Sequence, residues 1–205
     1  MSLITEQLKE RIEARIREYE ARSSVEFVPV IVRDSGEYSG FRLQATLLSL
    51  IATLMYFHGW PTSLGAGMES CASFVVASVV YMVSAWSSVL RWLVPASVKR
   101  TEVEQGAGHY FLREEIFNTR RRTGLLIYIS VFERAVYLMA DRGITAVVPV
   151  EEWARLGNRL AQDLGRNTPG VTFLEALDEI MVRLQNSFPP DVDNPNELPD
   201  GIRER

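Results

Sequence analysis

Residues 43–90 carry no Lys or Arg and a single acidic residue, Glu69, although 23% of the whole chain is charged. So long an uncharged segment is stable only inside a large protein core or in the hydrocarbon of a membrane. A Gly-Trp-Pro sequence at residues 59–61 divides the segment, because Gly and Pro both interrupt helices. The sequence therefore predicts two apolar helical arms, residues 42–60 and 71–94, each close to the ~20 residues that span a bilayer.

The arms contain many hydroxyl side chains and are less apolar than a Leu-rich span: Thr46, Ser49, Thr53, Ser73, Ser78, Ser84, Ser87 and Ser88. One interpretation is therefore a buried hairpin in a larger water-soluble helical protein. The rest of a 205-residue chain offers too little apolar surface to bury two such helices, so we favour a transmembrane helical hairpin at residues 41–96. Small residues also let helices pack closely in lipid, which makes Ser78 and Ser84 candidate contacts in a homo-oligomer.

Basic residues flank the arms on the sides away from the loop that joins them. They are Arg33 and Arg42 before the first arm, and Arg91, Lys99 and Arg100 after the second. The connecting loop, residues 58–70, contains no Lys or Arg. The positive-inside rule then places both chain ends in the cytoplasm and the loop outside. The absence of a short apolar run behind basic residues near Met1 argues against a cleaved signal peptide.

The segments on either side of the arms have the pattern of a small α/β domain. Apolar residues recur with helical spacing in residues 5–23. Residues 25–33 are Val- and Ile-rich like a strand, although Pro29 favours an edge strand or a bulge because it cannot donate to a ladder. Residues 97–117 predict a helix. If the first strand pairs parallel to residues 124–131, the arms and this helix together form the crossover.

Residues 135–140 follow the second strand after only a short turn, which predicts a β-hairpin. Pro149, followed by an acidic pair, predicts the start of an amphipathic helix. A second helix is expected to start at Thr172, because Glu175 three residues later completes a capping box.

Few residues in this chain could carry out chemistry. The net charge of −4 gives no support for nucleic-acid binding. Two His residues and the single Cys71 have no carboxylate or metal-ligand spacing around them, so we expect neither a cofactor nor a metal. Asp141, which follows a strand and precedes Gly143, is the best candidate for a ligand contact. The alternative, which we favour, is that Asp141 caps a turn.

The tail, residues 191–205, is polar and interrupted by Pro, so we expect it to be extended or disordered unless a partner fixes it. Its carboxylates lack the central Gly of an EF-hand loop. A different possibility is that the tail latches onto the domain through Asn196, Glu197, Leu198 and Asp200, with Leu198 in an apolar groove.

Residues 122–130 (RTGLLIYIS) and 133–144 (ERAVYLMADRGI) resemble the TPM-domain family, known from thylakoid-lumen, photosystem II repair and bacterial membrane proteins. The first helix followed by residues 25–32 (VEFVPVIV) is similar to that family as well. Residues 188–190 with 196–200 (NELPD) resemble its bacterial branch, which carries an internal membrane hairpin.

This resemblance implies a small α/β/α sandwich, anchored in the bacterial inner membrane, without dinucleotide binding. It also implies a LemA-like membrane protein as a partner, and some relatives have been proposed to be phosphatases or to bind calcium. The family pattern has an acidic residue and Asn before the strand glycine, whereas this chain has Arg122 and Thr123 before Gly124. The loss of an acidic oxygen ligand weakens the case for calcium.

We therefore expect a discontinuous TPM-like cytoplasmic domain, residues 1–40 with 97–190, that is interrupted by the membrane hairpin and followed by the tail. Its expected role is a non-enzymatic interaction or scaffold module, with membrane lipids, a second copy and a LemA-like protein as partners. The alternative is a phosphate-ester hydrolase or a divalent-cation-binding domain. That function would use the turn around Asp141, with Arg121, Arg122 and Arg142 as anion ligands.

Overall fold

A computed structural model of the chain describes residues 5–60, 65–164, 166, 168–184, 186–190, 198 and 201–204. The fold is mixed α/β, and its elements are α1 (Glu6–Glu20), β1 (Glu26–Val32), α2 (Ser39–Gly59), α3 (Ala66–Val83), α4 (Ser87–Leu93), α5 (Ala96–Arg113), β2 (Gly124–Ser130), β3 (Ala135–Ala140), α6 (Arg142–Thr145), α7 (Val150–Asp163), α8 (Pro169–Leu184) and β4 (Arg203–Glu204). The chain divides into two compact units. Residues 1–35 and 100–205 form the α/β unit, and residues 36–99 form the hairpin unit.

The sheet of the α/β unit has the strand order β3-β2-β1-β4. Strands β1 and β2 are parallel and stay in register over seven residue pairs, from Glu26–Gly124 to Val32–Ser130. Strand β3 runs antiparallel to β2, as the predicted β-hairpin requires. The predicted parallel pairing is also confirmed. Both β1 and β2 are buried along their whole length, which explains why they are continuous apolar runs rather than alternating ones.

Side chains on the two faces of the sheet belong to two separate buried clusters. The first cluster joins one face of β1 and β2 to α1, α7 and α8, and includes Ile12, Ile16, Phe27, Ile31, Leu125, Ile127, Trp153, Leu160, Phe173 and Leu177. The second cluster joins the other face to α5, and includes Val28, Val30, Val103, Ala107, Tyr110, Leu126, Tyr128 and Leu198. Because successive side chains of a strand point to opposite faces, odd-numbered residues of β1 and β2 fall in the first cluster and even-numbered ones in the second.

The prediction that β1 is an edge strand is wrong, because β1 lies between β2 and β4. Pro29 is nevertheless accommodated. Its partner in the register with β2 is Ile127, and the pairing of β1 with β4 in the described residues is confined to Val30 and Ile31. Within the described residues, Pro29 therefore pairs with β2 alone. Its lack of an N–H does not interrupt the described pairing of β1 with β4.

The second apolar arm differs from its prediction in both start and continuity. Helix α3 begins at Ala66, five residues earlier than expected, and ends at Val83, while α4 is a separate short helix. Between them Ser84 donates its hydroxyl proton to the Tyr81 carbonyl at 2.8 Å, and Trp86 adopts an extended backbone. The same kind of hydroxyl bond occurs at Ser49 and Ser78 within continuous helices, so it accompanies the break and does not by itself explain it.

The capping box at Thr172 is also wrong, because α8 begins at Pro169 and Thr172 lies buried inside it. Proline suits the first position of a helix, where no N–H is needed, so Pro169 rather than Thr172 marks the start. The helix predicted at residues 97–117 ends at Arg113, and Glu115 just beyond it adopts a positive φ of 51°. Helix α7 starts where Pro149 predicted.

The described part of the tail is ordered against the α/β unit rather than extended into solvent. Leu198 is buried in the second cluster, and its N–H lies 3.4 Å from Glu26 Oε2. Ile202 is buried in the first cluster. Arg203, at the start of β4, donates from Nε to Glu114 Oε2 at 2.7 Å. The tail therefore contributes to both buried clusters from beside β1. Asn196, Glu197 and Asp200 lie outside the described residues.

We predict that the Arg203–Glu114 contact makes the stability of the tail depend on pH. Burial opposes ionisation of Glu114, but hydrogen bonds from Arg203 and Arg113 outweigh it and hold the pKa of this carboxyl below its ordinary value. A carboxylate with a lowered folded pKa contributes stability above its unfolded pKa, and this stability is lost as the pH falls through the folded pKa. Arg203→Gln should therefore lower the free energy of unfolding by about 1 kcal/mol at pH 7 and by much less near pH 3.

Thermal unfolding of the full chain in detergent at the two pH values measures this difference. Arg17→Gln, which removes an exposed guanidinium from α1, is the matched control. An equal loss from Arg203→Gln at both pH values would show that the contact is not ionic.

Candidate functional site

Asp141 follows β3 and is the N-cap of the short helix α6. Its Oδ1 accepts the Arg142 N–H at 2.7 Å, and its Oδ2 lies 3.2 Å from Arg122 Nε in an ion-pair contact. The side chain is only 5% exposed. Both carboxylate oxygens of Asp141 thus face protein groups, and the arrangement is that of a helix cap and an ion pair between a buried carboxylate and a partly exposed guanidinium.

The backbone around Arg122 and Gly143 fixes this corner. Arg122 has a positive φ of 59°, and its carbonyl accepts the Gly143 N–H at 2.9 Å. A β-carbon on residue 143 would lie 2.4 Å from the Arg121 carbonyl oxygen, so only Gly fits there. The Arg122 guanidinium also donates to the Phe117 carbonyl at 2.5 Å. Of the three predicted anion ligands, Arg122 therefore serves the Asp141 corner, while the side chains of Arg121 and Arg142 are exposed.

This corner lies at the amino ends of the parallel strands, since the Asp141 N–H donates to the carbonyl of Gly124, the first residue of β2. Because β3 is antiparallel to β2, the end of β3 meets the beginning of β2. In open α/β sheets, ligands bind at the carboxyl ends of the parallel strands. Asp141, the residue predicted from the sequence as a ligand contact, therefore lies at the amino edge of the parallel strands, opposite the carboxyl edge where ligands usually bind.

The carboxyl edge of β1 and β2 holds a polar cluster that the sequence analysis missed. It consists of Ser35, Tyr128, Ser130 and Glu133, which we call the hydroxyl–carboxylate cluster. Ser35 donates to Ser130 Oγ at 2.9 Å, and Ser130 donates to Glu133 Oε2. Glu133 Oε1 accepts the Ser35 backbone N–H at 2.8 Å. Since the Ser35 hydroxyl proton is used towards Ser130, Tyr128 donates in its 3.0 Å contact with Ser35 Oγ.

The electrostatics of this cluster favour neutral hydroxyls around one carboxylate. Burial raises the pKa of Tyr128 to about 12, although its hydrogen bond with Ser35 opposes the shift. Burial, and then the charge of Glu133, raise the pKa of Asp34 above its ordinary value. Hydrogen bonds to a charged acceptor contribute about 1.5–3 kcal/mol each. The cluster therefore fastens the end of β1 to the β2–β3 turn, at Ser35, the last residue before the hairpin unit.

Helix α5 approaches this cluster at Gly106. A β-carbon there would lie 2.6 Å from the Tyr128 hydroxyl oxygen and 3.6 Å from Ser35 Cβ. Tyr128 is buried and cannot withdraw easily. A signal for the cluster did exist in the sequence, because Ser130 ends an otherwise apolar strand and Glu133 follows within the turn. Its members are separated by up to 98 residues, however, so only the fold brings them together.

The predicted interaction residues of the hairpin unit have different environments. Ser78 is exposed on α3, and its hydroxyl donates to the Phe74 carbonyl at 2.8 Å within the same helix. Ser84 is only 1% exposed. Ser73 and Ala77 are buried as well, in a unit in which α2 and α3 pack together. Ser78 thus remains available to a neighbour, whereas Ser84 does not.

Within the described ranges, no group of three His, Cys, Asp or Glu side chains is placed to hold a metal ion. His58 lies near the end of α2, and His109 lies in α5, where its ring makes an edge contact with Tyr110.

Comparison with protein-family models and with curated proteins finds no match to this chain. Among solved structures, the chain is similar to the NMR structure of BA42 protein from the psychrophilic bacterium Bizionia argentinensis sp. nov., with a TM-score of 0.59 and 16% sequence identity. The similarity covers 98% of this chain and 95% of the other. At that identity the likeness concerns the fold alone.

We predict that two glycines of α5 respond oppositely to substitution by Ala. Gly106→Ala should lower the free energy of unfolding by about 1–3 kcal/mol, because its methyl group displaces Tyr128 from Ser35. Gly108→Ala is the matched control, since nothing lies within 4 Å of a β-carbon there, and it should raise stability by up to about 1 kcal/mol. Denaturant unfolding of the full chain in detergent measures both. Equal effects of the two substitutions would contradict the tight contact at Gly106.

Proposed function

We propose that this protein is a membrane-anchored interaction or scaffold module of TPM-like α/β/α sandwich fold, held at the cytoplasmic surface of the bacterial inner membrane by the α2–α3 hairpin. The observation that carries this proposal is the exposure of the hairpin. Both α2 and α3 are long and apolar enough to cross a membrane. In a water-soluble core helix the apolar window would be mostly buried, whereas here 0% of the α2 window and 11% of the α3 window is buried.

The side chains that the hairpin exposes are the ones that lipid would cover. They include Leu48, Ile51, Met55, Phe74, Val75, Val79 and Met82. Removing a side chain of this size from water contributes about 1.5–3 kcal/mol, so the total cost of leaving the hairpin in water is large. Three tryptophans near helix ends are exposed as well. Trp60 follows α2, Trp86 precedes α4, and Trp92 lies in the last turn of α4. Indole rings favour the membrane interface.

Charge supports the proposed orientation. Arg42, in the first turn of α2, lies over the ring of Tyr81 near the end of α3, 4.5 Å from its centroid. The same end of the hairpin is followed by Arg91 and Lys99, and Lys99 donates to the Arg91 carbonyl at 2.9 Å. The sequence between α2 and α3 contains no Lys or Arg. The positive-inside rule then assigns the basic end to the cytoplasm.

The engaged carboxylate of Asp141 favours an interaction module over a hydrolase. A nucleophile or general base needs an oxygen that can reach a substrate. Asp141 instead caps α6 and pairs with Arg122, and it is almost fully buried. We propose a second copy of the chain as the first partner, through the exposed face of α3 around Ser78, and a LemA-like membrane protein as the second, on the basis of the family resemblance.

Cysteine variants of the full chain test this proposal in intact bacterial cells. In a background in which the exposed Cys71 is replaced by Ser, Gly65→Cys should react with an impermeant maleimide in intact cells. Glu151→Cys on α7 should react only after lysis. Ser78→Cys in the same background should form a crosslinked dimer on oxidation, whereas Ser84→Cys, which is buried, is the matched control and should not.

Three results would count against the proposal. The reverse labelling pattern would show that the orientation is opposite to the one proposed. Extraction of the protein by alkaline carbonate would show that the hairpin does not anchor it in the membrane. Equal crosslinking at positions 78 and 84 would show that copies do not associate through the exposed face of α3.

A further inference from the structure

A cavity of about 370 Å³ lies between α7 and α8, and none of its lining residues belongs to the Asp141 corner or to the hydroxyl–carboxylate cluster. Its lining residues are Glu152, Arg155, Leu156, Arg159 and Arg183. Three of the five are arginines and one is acidic. A cavity of this volume lies within the range of small-molecule sites, which extends from ~300 to ~1,000 Å³.

The arginines of this cavity carry more positive charge than their neighbours neutralise. Glu179 forms ion pairs with Arg159 and with Arg183, whose Nη1 lies 3.7 Å from the shared carboxylate oxygen. Arg183 also donates to the Glu179 carbonyl at 2.9 Å. Arg155 forms no hydrogen bond or ion pair with any part of the chain that the structure describes. One carboxylate thus serves two guanidinium groups, and a third guanidinium has none.

The two arginines of α7 repel each other. Arg155 and Arg159 are four residues apart and therefore lie on the same helix face, where like charges are destabilising. An anion between the guanidinium groups would remove that repulsion. Guanidinium groups bind phosphate oxygens through paired, planar N–H donors, so a phosphoryl group fits this cluster better than a monovalent halide.

The other two lining residues restrict what the phosphoryl group is attached to. The cavity is larger than a phosphate ion needs, and Leu156 offers an apolar wall for a short carbon skeleton. The carboxylate of Glu152 would repel a second anionic group, but it can accept hydrogen bonds from hydroxyl groups. We propose that this cavity binds a phosphoryl group carried by a hydroxylated carbon skeleton, either a soluble polyol phosphate or a phosphoglycerol lipid headgroup.

Two experiments on the full chain test the proposal, one for each source of the phosphoryl group. In the first, isothermal titration calorimetry measures binding of glycerol 3-phosphate to the protein in a neutral detergent. In the second, the protein is reconstituted into nanodiscs of phosphatidylcholine with or without phosphatidylglycerol, and hydrogen–deuterium exchange of α7 is measured. Saturable binding of glycerol 3-phosphate indicates a soluble ligand. Protection of α7 only with phosphatidylglycerol indicates the lipid headgroup.

The variants separate this site from general electrostatic attraction. Arg155→Gln and Arg183→Gln should each weaken binding of the active probe about tenfold, the size expected for the loss of one charge-assisted contact. Arg11→Gln removes an exposed arginine from α1 and should leave the affinity unchanged. Glu152→Gln should bind inorganic phosphate more tightly, which a misfolded variant could not do.

The proposal is overturned if neither probe binds or protects α7. It is also overturned if Arg155→Gln binds as tightly as the parent chain, or if Arg11→Gln loses as much affinity as Arg155→Gln. Failure of the proposed membrane topology would leave the soluble-ligand result unaffected, so the two proposals are tested separately.

Discussion

The fold of this chain depends on the parallel pairing of β1 with β2. Seven register pairs join residues that are almost one hundred positions apart in sequence. Parallel strands need a long crossover, and here the crossover contains the whole hairpin unit together with α5. Once β1 and β2 are paired, their two apolar faces require cover. Helices α1, α7 and α8 supply it on one face, and α5 supplies it on the other.

The same pairing explains the polar residues at the carboxyl edge. The chain leaves the α/β unit directly after Ser35, and an unsecured strand end there would fray. Glu133 accepts hydrogen bonds from Ser35 and Ser130, and Gly106 leaves room for Tyr128 to complete the cluster.

Much of the fold could be predicted from the sequence, because local patterns determine it. The near-absence of charge in residues 43–90, where Glu69 is the single charged residue, indicates the apolar hairpin. The run that begins at Gly124 indicates a buried strand with a turn after it. Features that depend on distant partners could not be predicted. The apolar pattern does not show that the second arm is interrupted between Val83 and Ser87. Nothing local shows that Leu198 and Ile202 pack beside β1, that Ser35 meets Glu133, or that arginines of α7 face Arg183 across a cavity.

We propose that the α/β unit closes on itself while its crossover lies in the membrane. The most direct measurement is to replace residues 36–99 with a Gly/Ser linker. The linker has to join Ser35 to Arg100. Gly106 lies close to Ser35, and Arg100 is about 9 Å from Gly106 along α5, so a linker of about eight residues is long enough. Because the two buried clusters that cover the β1–β2 sheet belong to the α/β unit, we predict a water-soluble protein with one cooperative thermal transition. An aggregated product, or one without a cooperative transition, would contradict it.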